Sequence, residues 1–135
     1  VYVSGFPLNS ELNSFMITSG NVSSLTGYGK NFTNFSHTAP SQPGNSGGAI
    51  TNEYGSVIGI LVAAINEDLI KEISGSLPQN INFGIKNTVL KSLLNDNNSE
   101  FKVRDSFFTK SQKSVADISK KSSVLIKCYG FPESK

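Results

Sequence analysis

The sequence is short of cysteine, histidine and net charge, and these shortages exclude several functions. A single cysteine, Cys128, cannot form an internal disulfide, and with one histidine it leaves no Cys/His set for a metal. Cys128 sits in the apolar run Val124-Leu125-Ile126-Lys127-Cys128-Tyr129, where a buried structural thiol is the expected reading. A net charge of +2 is too small to point to nucleic acid, and no nucleic-acid partner is expected. Most of the basic residues follow position 101 and read as a solvated face. No apolar run approaches the roughly 18 residues of a membrane-crossing helix. What is abundant is glycine, 12 in 135 residues, among short apolar runs, which predicts many turns between short strands. Val1-Tyr2-Val3 already reads as a strand, so the polypeptide is expected to be a fragment of a longer protein.

Residues 1–7 read as a strand stopped by Gly5 and Pro7, and 8–14 as a polar loop. Residues 15–26 carry two short β-runs around a bulge or tight bend at Ser19-Gly20-Asn21. A loop over 27–34 leads to a strand at Phe35-Ser36-His37-Thr38. Residues 39–48 hold two prolines and three glycines and must be irregular. Ala49-Ile50-Thr51 and 56–65 flank Asn52-Glu53-Tyr54-Gly55 as a hairpin whose second strand should be buried on both faces. Residues 66–80 are a polar insertion, 80–85 a strand, and 89–94 a helix capped by Asn87 or Thr88. The tail reads as an amphipathic helix over 109–121, with Val115 and Ile118 inward, then a strand over 123–129. Together these predict a mostly β chain, an antiparallel barrel with C-terminal helices. The domain reading is a barrel over 1–94, a linker over 95–108 and a helix-strand tail over 109–135 packing on the barrel.

The chemistry gathers in Gly44-Asn45-Ser46-Gly47-Gly48. A serine hydroxyl attacks a carbonyl only when it is exposed, positioned and beside a base. The carbonyl oxygen then needs backbone N–H donors where its charge develops. Gly44, unhindered by a side chain, can turn its N–H toward that oxygen, and Ser46 N–H can supply the second donor. Gly47 and Gly48 let the chain pass close to a substrate and re-enter a strand. Ser46 is therefore the candidate nucleophile, with Gly44 and Asn45 in its oxyanion loop.

In this context the sequence resembles the second β-barrel of the trypsin-like peptidases, of the chymotrypsin fold, closest to the HtrA/DegP-type branch. The resemblance covers about residues 1–94. It rests on Val3-Ser4-Gly5-Phe6-Pro7, Ile17-Thr18-Ser19-Gly20-Asn21-Val22-Ser23, Gln42 to Ala49, Tyr54 to Ile60, and Asn82-Phe83-Gly84-Ile85-Lys86, all in family order. It implies a six-stranded Greek-key barrel and a serine endopeptidase that uses no cofactor and no metal. It also implies that Pro40 and Ser41 form the base of the specificity pocket. Leu61, Ala63 and Phe83 would form its walls, and Val62 to Ala64 would pair their backbone with an extended substrate. No charge lies at that base, so a small or medium apolar side chain should fit. A periplasmic or secreted setting is favoured by the same resemblance.

Two departures bear on activity. Many relatives carry Asp where Asn45 stands, so an ion pair from this position to a freed N-terminus is not expected. In the family the histidine base and its aspartate come from an upstream barrel, which this sequence lacks. His37, nine residues before Ser46, is either a pocket-wall residue or an ordinary strand residue. The chain alone should therefore be inactive. Its expected partners are the missing N-terminal barrel, a protein or peptide substrate and, through the exposed inter-barrel face, a second copy. The competing function is a non-catalytic, protease-like domain that binds a peptide or protein.

Overall fold

A computed structural model describes residues 1–7, 14–62, 81–103, 106–127 and 130. Seven strands follow in order: β1 (Tyr2–Gly5), β2 (Met16–Ser19), β3 (Val22–Ser24), β4 (Asn34–His37), β5 (Ala49–Thr51), β6 (Val57–Val62) and β7 (Asn82–Lys86). A short 3-10 turn, Tyr28–Lys30, precedes β4, and two helices close the chain, α1 (Asn87–Asp96) and α2 (Gln112–Ser122). All neighbouring strands are antiparallel, in the order β2-β1-β5-β6-β7-β4-β3. The sheet is curled into a half-barrel. The β2–β3 break falls on Gly20 and Asn21, where the sequence places a bend; Gly20 N–H donates to Val1 O at 3.0 Å across it.

Alternation along the strands builds the interior. Val3 of β1, Phe35 of β4, Ile50 of β5 and Leu61 of β6 point inward with Ala39 and form one closed cluster. Fully burying side chains such as Ile50 contributes about 2–3 kcal/mol each. On β6 the inward residues Gly59 and Leu61 alternate with the half-buried Ile58 and Ile60. The apolar character of β6 on both faces thus has a cause: one face meets the core and α1 packs against the strand. The hairpin turn is fixed by Asn52, whose Oδ1 accepts from Tyr54 N–H and Ser56 N–H, both at 3.0 Å.

Two features of the C-terminal part differ from the sequence reading. α1 is capped by neither Asn87 nor Thr88: its N-cap is Lys86, with no side-chain bond, because β7 runs straight into the helix. Residues 123–127 join no strand, since a strand needs a free sheet edge and neither β2 nor β3 takes them up; Cys128 and Tyr129 lie outside the described residues. α2 matches its expected place: Ser111 caps it by accepting from Ser114 N–H at 3.2 Å. Its fully buried Val115 lies on a helix that packs against β1, whereas Ile118 remains partly exposed.

Candidate active site

The segment between β4 and β5 is a chain of turns whose form follows from Pro43, Gly44 and Gly47. Asn45 N–H donates to Gln42 O at 3.0 Å, closing a turn with Pro43 and Gly44 at its centre. Gly44 has φ +96°, which suits a turn with proline first and glycine second. Gly48 N–H donates to Asn45 O at 2.9 Å and closes a second turn, with Gly47 at φ +85°. The loop is then sewn to β6: Gly47 N–H donates to Leu61 O, and Leu61 N–H to Gly48 O, both at 2.8 Å. Gly48 runs hard against β1, so close that a Cβ there would sit 2.0 Å from Ser4 O.

This bonding leaves a pattern. From Gly44 to Gly48, the N–H groups of Asn45, Gly47 and Gly48 are spent on carbonyls. Those of Gly44 and Ser46 donate to nothing among the described residues. Ser46 itself is exposed, and its hydroxyl has no partner among the described residues. Asn45 points the other way: it is 5% exposed and packs on Gly5, where an added Cβ would come within 2.7 Å of Asn45 Oδ1. The loop therefore presents a free hydroxyl beside two free backbone donors.

The approach from β4 is also pinned. Thr38 N–H donates to Asn21 O at 3.0 Å, while Asn21 N–H donates to Thr38 Oγ1 at 2.9 Å. Asn82 Nδ2 donates to Ala39 O at 2.9 Å, and Thr18 Oγ1 to Pro40 O at 2.7 Å. Pro40 is exposed and Ser41 half-buried, with Ser41 Oγ donating to Ala39 O at 3.3 Å. The sequence reading did not single out Thr18, Asn21, Thr38 or Asn82. Their partners lie 17 to 43 residues away, beyond the reach of any local pattern.

The other candidate residues are placed as follows. Leu61 is 2% exposed and Phe83 7%, both turned inward. Val62 is half-buried and pairs with Phe83 on β7. On the β5 side the last bonds of β6 are those of Leu61, so the Val62 edge is open there among the described residues. Ala63 and Ala64 lie outside the described residues.

His37 is 0% exposed, and neither ring nitrogen has a hydrogen-bond partner among the described residues. It is therefore not hydrogen-bonded to Ser46 and lines no open wall; it is a core residue of β4, beside Phe35. Burial, the largest cause, pushes its pKa down from 6.5 to about 4, and the nearby Ala39 backbone opposes the shift without forming a hydrogen bond of good geometry. Above pH 6.5 the imidazole is neutral in both folded and unfolded chains. Between pH 6.5 and about 4 only the unfolded chain takes the proton, so stability is lost as the pH falls through that window. The loss approaches about 3 kcal/mol at about 1.4 kcal/mol per pKa unit. Urea midpoints at pH 7 and pH 4.5 should fall further for the wild type than for His37→Leu. Equal falls would show that another group carries the acid sensitivity.

Comparison with known proteins agrees with this loop. Residues 1–60 match the family model of the trypsin-like peptidase domain. A relative from Sinorhizobium fredii, named only as an uncharacterized protein, is 38% identical over 95 residues, 70% of this chain. The chain spans 15% of the length of that relative. The match likens the part of the chain that carries Ser46 to a trypsin-like peptidase domain.

Proposed function

We propose that this chain is the nucleophile-bearing, C-terminal barrel of a serine endopeptidase of the trypsin-like family, nearest the HtrA/DegP-type branch. The observation that carries the reading is the alternation of spent and free N–H groups around the exposed Ser46. Ser46 Oγ attacks the carbonyl carbon of the scissile peptide bond, and its proton passes to a histidine supplied by the upstream barrel. The oxygen, now negative, is held by the Gly44 and Ser46 N–H groups. The amine leaves with the proton, and water then releases the acyl group by the reverse sequence of transfers.

The Greek-key reading is supported by the ends of the sheet order. β2 and β3 are separated only by Gly20 and Asn21, and counted as one bent strand they bring seven strands to six. A substrate would add as a strand at the open Val62 edge, continuing over Ala63 and Ala64. Its side chain would enter a pocket with Pro40 and Ser41 at its base and Ala63 and Phe83 around it, with Leu61 backing that pocket from the core. The chain needs no cofactor for this chemistry. Its first partner is the upstream barrel, whose absence would expose an apolar face and favour a homodimer.

The second reading, a protease-like binding module, draws on the sealed His37, because the chain offers Ser46 no histidine of its own. A peptide library cleaved by the full-length protein separates the two. The peptidase reading expects cuts after small or medium apolar residues such as Ala and Val. Cuts after Lys or Arg would leave the nucleophile standing but remove the pocket assignment, and absence of any cut would favour the binding module.

A further inference from the structure

We infer that Asn82 is a positioning residue that fixes the backbone of the pocket base ahead of Ser46. Its effect on catalysis rests on the peptidase reading above. Asn82 lies on β7 directly across from His37 on β4, and it is 8% exposed. A buried amide is costly unless it is bonded, and an apolar residue would fill the same inward place without that cost. The Asn82 amide bonds outside its own strand: Nδ2 donates to Ala39 O, 43 residues away, at 2.9 Å.

The residues around this bond show its purpose. Thr38, Ala39 and Pro40 are each held by a different part of the sheet. Thr38 is tied to the bend at Asn21, Ala39 to Asn82 of β7, and Pro40 to Thr18 of β2. Three consecutive residues anchored this way set the peptide planes from which Pro40 and Ser41 project. Asn82 also precedes Phe83, so one strand joins the proposed wall to the proposed base. Without the Asn82 amide, Ala39 O keeps only the longer bond from Ser41 Oγ at 3.3 Å. The base would then move relative to β7, while the turn that carries Ser46 keeps its bonds to Leu61 through Gly47 and Gly48.

The test uses Asn82→Leu and Thr18→Val in the full-length protein, each variant close in shape to the original and lacking one bond. Thr18→Val removes the neighbouring, exposed anchor at Pro40 O and, if Asn82→Leu fails to fold, reads whether loosening the same base raises KM and quickens exchange as expected. Two readouts are taken. Hydrolysis of peptides with Val at the cleaved position should show KM raised roughly tenfold, with kcat within threefold. The rate of Ser46 modification by a small organophosphorus reagent, which does not fill the pocket, should stay within twofold of wild type. Amide hydrogen exchange should quicken at Ser41 and Gln42 by about tenfold and stay unchanged along β6. A uniform loss of hydrolysis and labelling, or unchanged KM with unchanged exchange at Ser41 and Gln42, would overturn the inference. A wild-type protein that neither cleaves nor labels would sink the peptidase reading, and exchange would then decide the role of Asn82 alone.

Discussion

Replacing Ser46 by alanine in the full-length protein should lower kcat by about 10^4- to 10^6-fold and leave the fold intact. The rate falls because no other group can form the acyl intermediate; what remains comes from substrate binding and the oxyanion donors alone. The fold survives because Ser46 is exposed and its hydroxyl bonds to nothing among the described residues. Exposed substitutions of this kind usually change stability by no more than about 0.5 kcal/mol. The turns that shape the loop belong to its neighbours, through Asn45, Gly47 and Gly48 N–H groups. Steady-state rates and urea midpoints for the two proteins check both halves. A Ser46→Ala protein that cleaves as fast as the wild type would remove Ser46 from the chemistry.

Gly48→Ala should destabilise the chain by about 3 kcal/mol or more, and far more than Gly47→Ala. The two glycines are adjacent but needed for different reasons. At Gly48 an added Cβ would lie 2.0 Å from Ser4 O and 2.8 Å from Asn45 O. Both are backbone atoms: Ser4 O lies on β1, which is paired on both sides, and Asn45 O closes the turn with Gly48 N–H, so neither can step aside without disturbing those bonds. At Gly47 an added Cβ meets nothing within 4 Å, and the only cost is φ +85°. That strain is worth about 1–2 kcal/mol for a residue with a side chain. Denaturant titration of both variants should therefore separate them by at least about 1 kcal/mol. Equal midpoints would mean that β1 does not press on the loop as described.

The contrast between these glycines also marks where sequence reasoning reaches. Glycine and proline density announced an irregular loop over 39–48, and two apolar runs flanking a glycine-containing turn announced the hairpin of β5 and β6. Those signals are local, and here no distant contact competes with them. The bend at Gly20-Asn21 was legible for the same reason. Gly48 could be placed in the motif, but its contact with Ser4 crosses 44 positions and no window of sequence contains it. The anchoring role of Thr18, Asn21, Thr38 and Asn82 was hidden in the same way: each is an ordinary polar residue of its segment until the sheet brings its carbonyl or amide partner alongside. The helix cap was misplaced because Asn87 and Thr88 have strong cap character, yet β7 continues to Lys86 and sets the helix entry instead. The strand expected over 123–129 shows the limit of composition, since Val124 and Ile126 are β-formers left exposed without an edge to join. His37 was legible as a strand residue, but its complete enclosure was not, because it depends on Asn82 and Val22 of the flanking strands.

The central claim is that Ser46 is an activated nucleophile in the intact protein. Its most direct test is to treat the full-length protein with a fluorophosphonate probe and identify the modified residue by mass spectrometry. The claim expects a single adduct on Ser46, absent from the Ser46→Ala protein and from the chain of residues 1–135 alone, whose one histidine is buried in the core. A protein that cleaves peptides while the probe leaves Ser46 unmodified, or modifies another serine instead, would contradict it.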